Sequence, residues 1–160
     1  MSDGSVTYES DGGIAVLRIN RPAKRNAFTA RMCEDLREGY LRFAASDDRA
    51  AVKLVPSAHS TAGADLNNPP EQFWRAIPGV GLELEKPVVA AVHGTVVGLG
   101  VTMVAFADLC VAADNTQFIY PEARVGVSKG LIAGLVARIP HKIAMELLLT
   151  GEPMGAQRAY

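Results

Sequence analysis

An α/β fold with a mostly parallel sheet is predicted by three observations. Pro87-Val88-Val89-Ala90-Ala91-Val92-His93 is an unbroken apolar run rich in valine, the pattern of a strand covered on both faces. A glycine-bearing turn at 94–100, a small-residue helix at 101–107 and a second buried strand at 108–113 follow it, which together make a strand–helix–strand unit. The 160 residues, 49% of them apolar, fit one domain, 1–160, with a sizeable core.

The remaining elements follow in order. Residues 6–9 and 14–20 are rich in β-branched side chains and flank Asp11-Gly12-Gly13, whose glycines suit the positive φ of a tight hairpin. Arg21-Pro22 stops the second strand, and a polar loop runs to Asn26. A helix then starts near Thr29, a good N-cap; Met32, Leu36, Tyr40 and Phe43 recur at helical spacing and make one apolar face. A short strand is expected at 51–55, a turn-rich loop at 56–70 and a short helix at 72–77. Beyond the second apolar strand, a loop at 119–127 carries Pro121-Glu122. Helices are expected at 131–139 and 141–149, divided by Pro140, with Gly151 as the C-cap.

Composition narrows the function. A formal charge of −1 with no dense Lys or Arg run argues against a nucleic-acid surface or a polybasic membrane anchor. Cys33 and Cys110 are far apart and lack metal-ligand company, so both read as reduced and structural, in the cytoplasm or a similar compartment. Residues 1–11 are polar and acidic, unlike a signal or transit peptide. The most apolar stretch, 87–107, is interrupted by His93, Gly94, Gly98 and Gly100, which argues against a bilayer span.

Two turns, Ala62-Gly63-Ala64-Asp65 and Gly98-Leu99-Gly100, each precede an expected helix. Amides at helix N-termini are unpaired and carry partial positive charge, so two such turns can form a hole for an oxygen that becomes negative. Either turn taken alone is equally at home as a tight bend for close packing. Met103 occupies the place of the third glycine of a dinucleotide fingerprint, and no Gly-Lys-Ser/Thr is present for a phosphate loop.

A resemblance to a family is carried by ordered blocks. They are Asn20-Arg21-Pro22, Lys24-Arg25-Asn26-Ala27, Ala62-Gly63-Ala64-Asp65-Leu66, Lys86 through Gly94, Asp108 through Ala112-Ala113, Phe118 through Pro121-Glu122, and Leu148-Leu149-Thr150-Gly151-Glu152-Pro153. From about Val6 to Tyr160 the chain resembles the crotonase (enoyl-CoA hydratase/isomerase) superfamily.

The resemblance implies a spiral of ββα units that binds coenzyme A thioesters, with trimers or hexamers as the usual assembly and no tightly bound cofactor. It assigns the oxyanion donors to the backbone amides of Ala64 and Leu99, the latter commonly glycine in the family. Lys24, Arg25, Ala27, Ala62, Gly63, Asp65, Leu66 and Gly98 would line the CoA and acyl site, Lys24 and Arg25 meeting phosphates. Relative to the family's length, most of the usual C-terminal helical region is expected to be lacking.

Hydratases of the family use two glutamates. One matches Glu122; the other matches Thr102, which can orient water but cannot act as a base at neutral pH. A single carboxylate suits double-bond isomerisation better than hydration. The alternative is a catalytically silent acyl-CoA-binding or assembly module of the same fold. Other residues read as accessory: His93 and His141 as structural, His59 as a solvated loop histidine, Asp65 as a helix cap, and Phe73 and Trp74 as core or acyl-pocket side chains.

Overall fold

The computed structural model describes residues 3–54, 60–127 and 132–160. The expectations at Val55, at 56–59 with His59, and at Leu131 lie outside the described residues.

β1 (Ser5–Asp11) and β2 (Ile14–Asn20) pair antiparallel and close at Asp11 and Ile14 across the Gly12-Gly13 turn. Alternation along β2 sends Ala15, Leu17 and Ile19 into the core. The chain then turns into α1 (Ala30–Ala44), where Thr29 Oγ1 accepts from the Met32 amide at 3.2 Å and satisfies an orphan N–H of the first turn. Met32, Leu36, Tyr40 and Phe43 are each 0% exposed; the apolar burials of Met32, Leu36 and Phe43 are worth about 1.5–3 kcal/mol each.

β3 (Ala50–Leu54) adds parallel to β2, and β4 (Val88–Val92) adds parallel to β3. From β4 the chain passes through β5 (Thr95–Val97) and α2 (Leu99–Ala105) to β6 (Leu109–Ala112), which pairs parallel with β4. The five-stranded sheet has the order β1-β2-β3-β4-β6, parallel except at β1. β7 (Gln117–Ile119) joins β5 in a second sheet, followed by α3 (Ile132–Arg138) and α4 (His141–Thr150). β8 (Met154–Gly155) and α5 (Ala156–Ala159) end the order, and β8 completes the second sheet against β7.

Several local expectations are corrected. The stretch 94–100 is not a plain turn: it holds β5 and the first residues of α2, because β5 finds a parallel partner 22 positions later in Gln117, beyond the reach of local pattern. β6 was expected to be buried, yet Leu109 and Val111 are each 64% exposed, since β6 lies at the sheet's edge. On β4, Val88 and Ala90 are buried while the residues between and after them are only partly so. The short helix at 72–77 is a 3-10 turn, Phe73–Ala76, and Trp74 is 45% exposed, outside the core. The loop 119–127 contains a 3-10 turn, Glu122–Val125.

Two apolar clusters result. One lies between α1 and the larger sheet and takes in Leu99 and Met103; the other, around Val101, Phe118, Tyr120 and Leu135, lies under α3 and α4. α2 therefore stands between both cores, which fixes its first turn from two sides.

Candidate active site

The first turn is held by polar bonds. Arg21 donates from Nη1 to the Ala27 carbonyl at 3.1 Å and to Asp65 Oδ2 at 2.6 Å, and its backbone amide donates to Asn26 Oδ1 at 2.8 Å. The Arg21–Asp65 pair is only 10% and 12% exposed, and the guanidinium hydrogen bond holds the Asp65 carboxyl below its usual range. Arg25 and Asn26 sit at φ 48° and 55°, left-handed backbone stabilised by the amide of Ala62 donating to the Arg25 carbonyl at 2.8 Å. Thr61 Oγ1 donates to the Asn26 carbonyl at 2.9 Å and accepts from the Gly63 amide at 3.0 Å.

Phe28 donates to the Gly63 carbonyl and accepts from the Asp65 amide, each at 2.8 Å, as in a parallel bridge across Ala64. That pattern turns the N–H of Ala64 to the opposite side. Asp65 caps no helix. Its Oδ1 accepts from the Asn67 amide at 2.9 Å in a local turn, and Pro69-Pro70 just beyond disfavours helical continuation.

The second turn is held by packing. Gly98, at φ 49° and ψ −112°, donates to the Ile119 carbonyl at 2.9 Å and hands the chain to α2. Leu99, the first residue of α2, buries its side chain in the main core, so its Cβ costs no space in front of the turn. Among the described residues, no hydrogen bond engages the amide of Ala64 or of Leu99. The turns are neighbours: Thr61 bridges β5 through the Thr95 carbonyl and the Val97 amide, and a Cβ on Gly63 would lie 3.1 Å from the Val97 carbonyl oxygen.

Glu122 completes the constellation. Its carboxylate presses on Gly98 so closely that a Cβ there would lie 2.3 Å from Oε1. Oε2 is buried without a hydrogen-bond partner, and burial pushes the acid's pKa up against the opposing pull of a backbone N–H. A desolvated carboxyl of raised pKa thus lies against the turn that leads into Leu99, the kind of group able to take and return a proton. Thr102 is 3% exposed beside Tyr120, whose phenol is pushed up by burial against an opposing pull from the Thr102 hydroxyl.

Of the other expected site residues, Lys24 and Arg25 are exposed on the loop beside Ala62, and the Ala27 carbonyl is taken by Arg21. Leu66 points outward at 82% exposure. His93 is tied to Ser60 through backbone groups, and His141 is exposed at the start of α4. Cys33 is free and buried, which pushes its thiol up to about 12; Cys110 is free but exposed on β6, so only Cys33 packs as expected. Sequence reasoning missed Arg21 and Thr61 as the braces of the first turn and Tyr120 as a neighbour of Thr102. Arg21 and Tyr120 lay within quoted blocks, whereas nothing in the pattern marked Thr61. Among the described residues no group of three His, Cys, Asp or Glu could hold a metal ion.

A family model described as enoyl-CoA hydratase/isomerase matches residues 9–160. The chain belongs to that family. Enoyl-CoA hydratase domain-containing protein 3, mitochondrial, of Danio rerio is 34% identical over 94% of this chain and 57% of its own length. Carnitinyl-CoA dehydratase of Proteus mirabilis is 32% identical over 97% of this chain and 64% of its own. An enoyl-CoA hydratase/isomerase structure from Mycobacterium paratuberculosis superposes with a TM-score of 0.85 at 29% identity, covering 99% of this chain and 68% of that one. The crotonase fold is thus shared, and the chain spans about three-fifths of the length of the first relatives. No helix among the described residues is long and apolar enough to cross a membrane.

Proposed function

We propose that this chain forms the acyl-CoA-handling core of an enzyme that stabilises a thioester enolate in the amides of Ala64 and Leu99 and moves protons with Glu122. Double-bond isomerisation is favoured over hydration. The observation that carries the reading is the partnerless, buried Oε2 of Glu122 beside the turn that presents Leu99.

In the proposed reaction Glu122 removes the C2 proton of a 3-enoyl-CoA, and the electron pair spreads onto the thioester oxygen. The two amides stabilise that charge as it forms, each contributing on the order of 10²- to 10³-fold. Return of the proton at C4 leaves the conjugated 2-enoyl-CoA. No water is consumed, which suits a site where Thr102, buried and without a carboxylate, stands at the family's second glutamate. Lys24 and Arg25, exposed beside Ala62, are the cations proposed to meet CoA phosphates. Asp65 and Ala27 act from behind through Arg21, and Leu66 forms the outer rim. A homotrimer or hexamer and a cytoplasmic location belong to the same reading, although the zebrafish relative's name is mitochondrial.

The test follows the absorbance of the conjugated thioester with 3-enoyl-CoA and 2-enoyl-CoA substrates. Glu122→Gln is expected to lower isomerisation by about 10²- to 10⁴-fold. The wild-type rate falls as pH drops through a value above the usual carboxylate range, because the base must be ionised and burial raises its pKa. Thr102→Glu raises the ratio of hydration to isomerisation. Binding of both substrates without turnover would instead identify a silent acyl-CoA-binding module, the alternative favoured by the absent second carboxylate.

A further inference from the structure

Lys53 is out of place for an ordinary central strand. It lies on β3, third of five strands, 6% exposed, with Leu17 of β2 and Ala90 of β4 beside it in register, both fully buried. Its Nζ donates to the Met103 carbonyl at 2.9 Å, within α2 and one helical turn beyond Leu99. Lys53 also borders a cavity of about 20 Å³ with Thr61, Gly100 and Met103, where the two turns meet. A methionine would fill the same space without burying a charge, so packing alone does not account for a lysine here.

We propose that Lys53 is a positioning residue: its buried ammonium braces α2 from beneath and sets a fixed positive charge behind the oxygen that the Leu99 and Ala64 amides would hold. This rests on the oxyanion reading above. One turn of helix plus the hydrogen bond puts the charge about 10 Å behind the Leu99 amide, where an effective dielectric near 20 makes it worth about tenfold in rate.

Burial lowers the lysine's pKa from its ordinary 10.5 to about 8. Among the described residues, the titratable group that couples to it is the Cys110 thiol from β6; β2 and β4 face it with Leu17 and Ala90, and α2 with a carbonyl. Between about 8 and 10.5 the unfolded chain binds more protons than the folded one, so stability rises with pH across that window. Activity should fall over the same window as the ammonium is lost. Opposite trends in stability and rate are a signature that a merely structural lysine does not produce.

The experiment compares the full chain with Lys53→Met. The expected result is a kcat for isomerisation about tenfold lower with KM within about twofold, no alkaline limb near pH 8, and a higher melting temperature. Unchanged kcat with the alkaline limb retained overturns the proposal, as does a lower melting temperature with kcat intact. Should the variant fail to fold, the wild-type profiles decide: rate and stability moving together between pH 7.5 and 9.5, as approximate bounds, also overturn it. Turnover that depends on Glu122 but ignores Lys53→Met removes this inference alone. Absence of any Glu122-dependent turnover removes the oxyanion reading and this inference with it.

Discussion

The two turns that offer a free amide are built by different physics. The turn at Ala64 is strapped from behind by an ion pair and side-chain hydrogen bonds through Arg21, Asn26 and Thr61, and no helix follows it. The turn at Leu99 is set by α2, whose side chains anchor in both apolar clusters, with one unsatisfied carboxylate pressed against it. A donor can thus be held by polar bonds or by volume. The former should fail when a charge is altered, the latter when a methyl group is added.

The greatest effect is expected from Gly98→Ala. The new Cβ would enter the space of the Glu122 carboxylate at a backbone conformation that L residues avoid, so displacing acid and amide together should lower kcat by about 10³-fold. Gly63→Ala tests where the turns touch. Its Cβ meets the Val97 carbonyl oxygen at 3.1 Å, and losing one donor's alignment should lower kcat by about 10²-fold with Glu122 left in place.

Asp65→Asn probes the polar strap alone. Breaking the pair with Arg21 should destabilise the fold by about 1–3 kcal/mol in urea unfolding at pH 7. Because the Asp65 carboxyl titrates below its usual range, that stabilisation is present above the ordinary carboxylate pKa and is lost as pH falls through the lowered one. The difference between wild type and variant should therefore shrink in acid; a constant difference would show that the strap is not ionic.

Much of this frame was legible because it is local. The Asp11-Gly12-Gly13 hairpin, the Thr29 cap and the apolar face of α1 are written within a few residues of where they act. The family blocks carried the sites beyond local reach and brought Gly98 and Glu122 into one hypothesis. What escaped depends on distant partners. β5 and β7 are three-residue strands that exist through each other, and β6 has the composition of a core strand but lies at an edge. The helix expected at 72–77 shrank to the 3-10 turn Phe73–Ala76, and Asp65 caps no helix. Lys53 was simply part of an expected short strand; only its bond to the Met103 carbonyl ties it to α2.

Among the described residues β6 pairs on one side only, with β4, while Leu109 and Val111 stand open to solvent. Such an edge is a template on which another extended segment can crystallise its own ladder, so colloidal behaviour of the chain should depend on concentration. Leu109→Lys or Val111→Lys would act as a gatekeeper that keeps solutions dispersed.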